Sequence, residues 1–190
     1  MVERLPRNEG KNFLIAFVFS CPGSLEEKNK QLVQGQTGNN LTKLIHIIRK
    51  DRAYRQYFDS ENRFDYRITN ASTIIHYKAK DGTSEPSKGE ILCKENLDRL
   101  VDDLKGYKII ITFGEKAKIA LKACEDNLRH PQIIHVQHLG FQSLNQIKKD
   151  CHGNDLLSSN GDQVVGKSNT HARLEVIAKE VTSKIIVERI

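Results

Sequence analysis

The feature that most limits the fold of this chain is an unbroken apolar run at residues 13–19 (FLIAFVF), which ends in the turn Ser20-Cys21-Pro22-Gly23. A strand with one face in water alternates apolar and polar residues, whereas a strand covered on both faces is apolar throughout. The run is also far too short to cross a bilayer. It therefore predicts a strand buried on both faces, as in a parallel sheet covered by helices.

The rest of the chain alternates strand patterns with helical patterns. Further strands are predicted at residues 66–75, 107–113 and 133–136, and helices at 41–48, 92–104, 115–124 and from a cap at Asn169 or Thr170 to about residue 186. Polar loops rich in turn-forming residues lie at 78–90 and 153–167. This alternation predicts an α/β fold, a three-layer sandwich with a mainly parallel central sheet. The length of 190 residues is that of one domain, so we expect residues 1–190 to form a single unit.

The charge of the chain indicates the class of partner. The net charge is +6 and the isoelectric point is about 9.1, which favours an anionic partner, most commonly nucleic acid. Candidates for phosphate contacts are Arg129, Lys148, Lys149 and Lys167, although lysines on a solvated surface are the ordinary alternative.

The cysteines argue against a metal site. Cys21, Cys93, Cys124 and Cys151 are far apart and form no C-x-x-C pair, so a closed zinc site lacks its paired ligands. The N-terminus shows no signal-peptide pattern. We therefore expect reduced thiols in a cytoplasmic protein, with no metal, no cofactor and no membrane association.

Several residues that carry chemistry fall at predicted strand ends. They are the turn at residues 20–23, Asn70, Gly114 and His138. In parallel sheets, ligands bind at the carboxyl ends of the strands, so this co-location predicts a binding site.

Two stretches at this edge allow more than one interpretation. Cys21-Pro22-Gly23-Ser24 resembles a one-thiol redox site at a helix start, but a buried structural cysteine is the more common meaning of so short a pattern. Residues 35–40 (GQTGNN) lead into a helix without the lysine of a phosphate-binding P-loop. Their backbone amides suit an anion, or they form only a helix cap.

Taken together, the motifs resemble the uracil-DNA glycosylase superfamily, and most closely its branch written G-E-x-P-G-x-x-E-D…F-V-G-x-x-G-x-x-L. In register with it are Pro22, Gly23, Glu26, Gly35, Gly38 and Leu41, with Glu27 in place of the Asp. Residues 67–71 (RITNA) look like the family's I-T-N-x segment, and residues 110–117 (IITFGEKA) like its I-x-x-x-G-x-x-A turn. Residues 135–141 (HVQHLGF) fall where the family has its H-P-S loop. The matches follow family order over residues 13–150.

The resemblance implies a monofunctional DNA glycosylase that flips a nucleotide into a pocket, cuts its N-glycosidic bond with water and leaves an abasic site. His138 would donate a hydrogen bond to the departing base, and Asn70 would read the pyrimidine edge. Cys21, Pro22 and Val33 would line the base pocket. The resemblance implies DNA phosphate contacts through the backbone amides of Gly35, Gln36, Thr37 and Gly38. It also implies DNA contacts for Leu139, Gly140 and Phe141 on the His138 loop, where Leu139 or Phe141 would be the wedge that fills the space left by the flipped base.

Departures from the family pattern bear on chemistry and substrate. The positions that carry the water-activating acid or amide in most of the family hold Ser20 and Cys21 here. A carboxylate elsewhere would have to substitute, and the candidates are Glu26, Glu27 and Asp65. We therefore expect the catalytic residues to be His138, Ser20 and Glu26. Val33 stands where an aromatic usually stacks on uracil. Smaller Val33 and Ser20 predict a wider pocket and a larger base, such as a modified cytosine of phage DNA, as in antiviral defence.

The remaining predictions concern partners and alternatives. The four cysteines do not match the iron–sulfur branch of the family, so we expect no cluster. We expect a monomer that binds DNA. Uracil repair, a non-catalytic DNA-binding relative and a thiol-redox protein that depends on Cys21 remain alternative functions.

Overall fold

The computed structural model describes Leu5, residues 7–156 and residues 169–186. In this part of the chain one sheet has four strands: β1 (Ile15–Phe19), β2 (Arg67–Asn70), β3 (Ile109–Phe113) and β4 (Gln132–Val136). Their order is β2-β1-β3-β4 and every neighbouring pair is parallel. The predicted α/β fold with a parallel sheet is confirmed.

Helices connect the strands. The α-helices are α1 (Ser24–Asn29), α2 (Gly35–Arg49), α3 (Lys78–Asp81), α4 (Lys88–Leu92), α5 (Lys94–Leu104), α6 (Glu115–Lys122), α7 (Phe141–Leu144) and α8 (Thr170–Lys184). Short 3₁₀ turns lie at Arg52–Tyr54, Arg63–Asp65 and Glu125–Asn127. Asn169 is the residue that caps α8, as predicted, although its side chain makes no capping hydrogen bond.

The apolar run of β1 is buried along its whole length because it serves two cores. Ile15, Phe17 and Phe19 face one core, which is closed by apolar residues of α2 and α8. Ala16 and Val18 face the other, which is closed by α5 and α6. Each fully buried large apolar side chain contributes roughly 1.5–3 kcal/mol to stability. Both faces of the sheet are therefore covered by helices.

The structure differs from the predicted boundaries mainly at α2, which begins at Gly35 rather than at residue 41, and around β2. The strand ends at Asn70 rather than at residue 75, and the amides of Ala71 and Ser72 then bond the carbonyls of Phe19 and Ser20 beyond β1. The predicted polar loop at 78–90 contains α3 and the start of α4, whose capping box joins Ser87 and Glu90. Most of the polar loop predicted at 153–167, with Lys167, lies outside the described residues.

The four cysteines are free thiols. Within the described ranges, no helix has both the length and the apolar character needed to span a membrane. That residues 1–190 form one domain stays a prediction.

Candidate functional site

A cleft of about 810 Å³ opens at the carboxyl edge of the sheet. It forms there because β1, β2 and β3 all end at this edge and the loop after β4 folds over it. The predicted site residues that line it are Ser20, Cys21, Pro22, Glu26, Val33, Gln36, Thr37, Asn70, His138, Gly140 and Phe141. The structure thus brings together positions that are up to about 120 residues apart in sequence.

His138 lies after β4 with its imidazole directed into the cleft. Its Nδ1 accepts a hydrogen bond from the Gly140 amide at 3.0 Å, so the neutral ring carries its proton on Nε2. The ring meets the edge of Phe19 at 6.1 Å between centroids, nearly perpendicular. Burial lowers the pKa of His138, against a smaller opposing effect of the Glu85 and Glu26 charges. The side chain is therefore a neutral hydrogen-bond donor at neutral pH.

Two glycines make room for His138. Gly114 follows β3 with φ +91°, and a Cβ there would lie 3.1 Å from the His138 Cβ. A Cβ on Gly140 would lie 3.0 Å from Nδ1. Gly114 is also in a conformation that side-chain-bearing residues rarely adopt. The imidazole is held by close backbone packing on both sides.

Asn70 ends β2 with its side chain in the cleft, and the residue is only 4% exposed. Its carboxamide makes no hydrogen bond to any residue that the structure describes. Neither amide atom is among the buried side-chain atoms without a partner in the described residues, so both open on the cleft. The carboxamide is therefore available there to water or to a polar ligand.

A buried ionic network holds Asn70 from behind. Arg99 on α5 donates to the Asn70 carbonyl at 2.8 Å, to Thr69 Oγ1 at 2.9 Å and to Asp103 at 2.6 Å. Asp103 is 3% exposed and also accepts from Arg7 and Thr69. The end of β2 is thus fixed by charge-assisted hydrogen bonds.

The first turn of α2 presents its amino end to the cleft through Gln36 and Thr37. The first amides of a helix have no acceptor inside the helix, and they favour anions. Gly38 differs from Gln36 and Thr37, because its amide already donates a hydrogen bond to the Gln34 carbonyl. Gly38 is also buried, and a Cβ on it would lie only 2.0 Å from the Val33 carbonyl oxygen. Its predicted DNA contact is therefore wrong, and its role is close packing. Gly35 does not line the cleft.

Val33 lies at the wall of the cleft, as the resemblance implies, and it is buried. Its φ of 54° is left-handed, which is unusual for a β-branched residue and costs on the order of 1–3 kcal/mol. The backbone of the α1–α2 connection is therefore strained where it borders the cleft.

Glu26 is held as a structural carboxylate. Oε2 accepts from the Gly23 amide at 3.1 Å and Oε1 from the Gln34 amide at 2.8 Å. Glu26 thus joins the N-cap residue of α1 to the N-cap residue of α2. A catalytic role for Glu26 stays a prediction, and these contacts favour a structural role. Asp65 is wrong as a substitute acid, because it precedes β2, at the opposite edge of the sheet, and accepts from Ser60.

Sequence reasoning missed a carboxylate in the cleft, Glu85. Ser20 Oγ donates to Glu85 Oε2 at 2.8 Å, so the position that lacks the expected acid contacts an acid from the loop between α3 and α4. Nothing in the sequence marked Glu85 beyond its place in a polar loop. The following residue, Pro86, is buried and anchors this loop.

His76 ties both ends of the loop that carries Glu85. Its Nδ1 lies 2.5 Å from Asp81 in α3 and its Nε2 lies 3.1 Å from Glu90 in α4. The His76 amide also bonds the Pro22 carbonyl. The imidazole of His76 therefore joins α3 and α4, and its backbone amide joins them to the turn after β1.

The thiol of Cys21 is unsuited to redox chemistry. Burial, with a further contribution from the Glu85 charge, raises its pKa to about 12. Reactive thiols have a lowered pKa. Cys21 is protonated at neutral pH, and its Sγ contacts the Ser84 carbonyl at 3.5 Å.

Leu139 is wrong as a DNA-contacting residue, because it is fully buried in the core and its carbonyl accepts from Asn40 at 2.7 Å. Phe141 starts α7 at the cleft and remains the candidate wedge. Arg129, Lys148 and Lys149 lie outside the cleft.

No group of three or more His, Cys, Asp or Glu side chains in the described ranges is arranged to hold a metal ion. The cleft offers the Asn70 carboxamide, a neutral imidazole donor at His138, the amino end of α2 and the Glu85 carboxylate. Comparison with protein-family models and with curated proteins finds no match to this chain.

Proposed function

We propose that this protein is a monofunctional DNA glycosylase of the uracil-DNA glycosylase superfamily, which flips out and excises a modified pyrimidine and leaves an abasic site. The observation that carries the proposal is the pairing, in one cleft, of the unpartnered Asn70 carboxamide with the Nε2–H of His138. One group would read the base and the other would stabilise its departure.

Asn70 suits the recognition step. A carboxamide offers a donor and an acceptor side by side, which complements the edge of a pyrimidine. Because Arg99 fixes the end of β2, the amide is pre-organised and loses little entropy on binding. An extruded base would satisfy the buried amide that no described residue satisfies.

His138 suits the bond-breaking step. As the N-glycosidic bond breaks, negative charge develops on the base, and a fixed N–H directed at that charge lowers the barrier. The Gly140 amide holds the proton on Nε2, and burial keeps the ring neutral. The imidazole would therefore act as a donor without first having to change its protonation state.

The surroundings of the cleft suit a DNA strand. The amino end of α2 is an anion site at the rim, where Gln36 and Thr37 would meet a phosphate. Phe141 begins α7 at the rim of the cleft, where an apolar ring would fill the gap that a flipped nucleotide leaves. The net charge of +6 favours such a polyanion.

The cleft favours a base larger than uracil. Ser20 and Val33 both line it, and each is smaller than the side chain expected there by resemblance. A volume of about 810 Å³ leaves room for a substituent on the base. A hydroxymethylated or glycosylated cytosine of phage DNA fits this chemistry, and a role in antiviral defence would follow.

The test uses two DNAs, one containing uracil and one from a phage with glucosylated hydroxymethylcytosine. Abasic sites are cleaved with alkali, and wild type is compared with His138→Ala and with the matched control His171→Ala, an exposed histidine on α8. We expect strand breaks in the phage DNA with wild type and His171→Ala, and a loss of about 10²–10³-fold with His138→Ala. Cleavage of uracil DNA alone would instead make this a repair enzyme.

Absence of cleavage in both DNAs would refute the glycosylase proposal. Salt-dependent DNA binding without base release would then identify a non-catalytic DNA-binding protein.

A further inference from the structure

We propose that Glu85 is the catalytic carboxylate of this reaction and activates the attacking water, with Ser20 as its positioning residue. The inference rests on the proposed glycosylase function. It answers the question that the sequence raises, since the turn after β1 holds Ser20 and Cys21 where an acid was expected.

The contact between Ser20 and Glu85 defines the geometry. Ser20 is 7% exposed, and its Oγ donates to Glu85 Oε2 at 2.8 Å. Among the described residues, none donates a hydrogen bond to Oε1. One oxygen is thus anchored to the end of β1, and the other is available to a water molecule in the cleft.

The other carboxylates of the cleft are less suited to the task. Those that line it are Glu26, Glu85 and Glu115. Both oxygens of Glu26 accept backbone amides. Glu115 is exposed on α6, as Glu85 is on its loop, but Glu115 lies 3.9 Å from Lys118 and accepts no hydrogen bond from a described residue. Glu85 is the carboxylate that combines an anchored oxygen with an available one.

The loop holds Glu85 in place. Thr83 Oγ1 donates to the Glu85 carbonyl at 3.2 Å and accepts from its amide at 3.1 Å, and Pro86 is buried. His76 ties Asp81 and Glu90, which flank this segment on either side. These contacts fix the backbone at Glu85, and the hydrogen bond from Ser20 holds its carboxylate, so the group is positioned before a substrate binds.

Glu85 and His138 line the same cleft. The Glu85 charge favours the protonated form of His138 and partly offsets the effect of burial on that pKa. The carboxylate and the leaving-group donor therefore border one space, in which a flipped nucleotide would contact both.

The reaction balances without a further reactant. The C1′–N bond breaks and its electron pair leaves with the base, whose charge His138 Nε2–H stabilises. The water oxygen forms a bond to C1′, and Glu85 takes the water proton. The base then gains that proton through solvent, so water and nucleotide yield the free base and an abasic hydroxyl.

The test measures single-turnover base release from two duplexes, one with a single uracil and one with a single glucosylated hydroxymethylcytosine. We expect Glu85→Gln and Glu85→Ala to lower the rate by about 10²-fold or more. Formate, a small carboxylate, should restore part of the rate to Glu85→Ala but none to Glu85→Gln, whose amide fills the space. Affinity for the same duplexes carrying a 2′-fluoro sugar should not weaken, because only the chemical step is lost.

Asp98→Asn is the matched control. Asp98 pairs with Lys94 on α5, outside the cleft, and its variant should react at the wild-type rate. Active wild type with an equally active Glu85→Gln would overturn this inference alone. A loss in Glu85→Ala that formate does not reduce would assign the effect to structure and overturn it as well. Wild type that releases neither base would refute the proposed function, and this inference with it.

Discussion

The Gly140 amide hydrogen-bonds Nδ1 of His138 at 3.0 Å, two residues back along the same loop. This contact selects the ring tautomer with its proton on Nε2. It also resists protonation, because an imidazolium would direct two N–H groups at each other. The contact therefore predicts that protonation of His138 at low pH lowers both the excision rate and the stability.

The excision rate should stay constant as the pH falls from about 8 to about 6.5 and decline only below that range. The reason is that burial lowers the pKa of His138, so the neutral donor persists to lower pH than in a free histidine. A pH–rate profile under single-turnover conditions checks this. An acid limb centred above about pH 6.5 would contradict it.

Stability should follow the same titration. Because the folded pKa of His138 is lowered, the unfolded chain takes up the proton first as pH falls. The stability of wild type relative to His138→Gln should be fully present above about pH 6.5 and decline as the pH falls from the unfolded pKa to the folded pKa. Urea denaturation of both proteins across this range gives the difference, and a pH-independent difference would count against the titration.

Gly114→Ala should destabilise the protein by about 1–3 kcal/mol and reduce excision, because the residue has φ +91° and its new Cβ would press on His138. Gly106→Ala is a matched control, since Gly106 has φ +92°, lies outside the cleft and has no described atom within 4 Å of an added Cβ. This control variant should lose stability through the same backbone strain but should excise the base at the wild-type rate. Equal activity in both variants would show that the close approach to His138 is unimportant.

Arg99→Met should lower the free energy of unfolding by about 3 kcal/mol, because it leaves the buried Asp103 with less compensation and releases the end of β2. Arg7→Met should cost less, since Arg7 is more exposed and does not contact β2. Urea denaturation compares the two. Equal losses of unfolding free energy in the two variants would mean that the hydrogen bond from Arg99 to the Asn70 carbonyl does not add to stability.

Cys21 should react with iodoacetamide far more slowly than the exposed Cys93 at pH 8, because burial raises its pKa to about 12. Peptide mass mapping after timed alkylation measures both rates. Cys21→Ser should retain excision activity. Preferential labelling of Cys21 would revive the redox function.

The sheet and the main site positions could be predicted from sequence because each depends on a local signal. The apolar run of β1 reports burial on both faces, and strand ends place Asn70 and His138 at one edge. Glu85 could not be predicted, because its role depends on a contact with Ser20 across 65 positions of the chain. No local pattern encodes such a contact.

Other differences between the sequence predictions and the structure have physical causes as well. Glu26 stood in the right motif, but backbone amides at Gly23 and Gln34 occupy its oxygens, and only the folded loop reveals this. Leu139 follows a strand end, where exposure and burial are equally compatible with the sequence. Its neighbour His138 turns to the cleft while Leu139 turns to the core.

The left-handed conformation of Val33 has an evolutionary consequence. Gly or Asn would relieve that backbone at a gain on the order of 1 kcal/mol, but either would remove the branched wall of the cleft. Selection for thermostability and selection for a defined substrate would therefore favour different residues at position 33. A library screened only for heat resistance should drift away from valine there, whereas one screened for base discrimination should retain it.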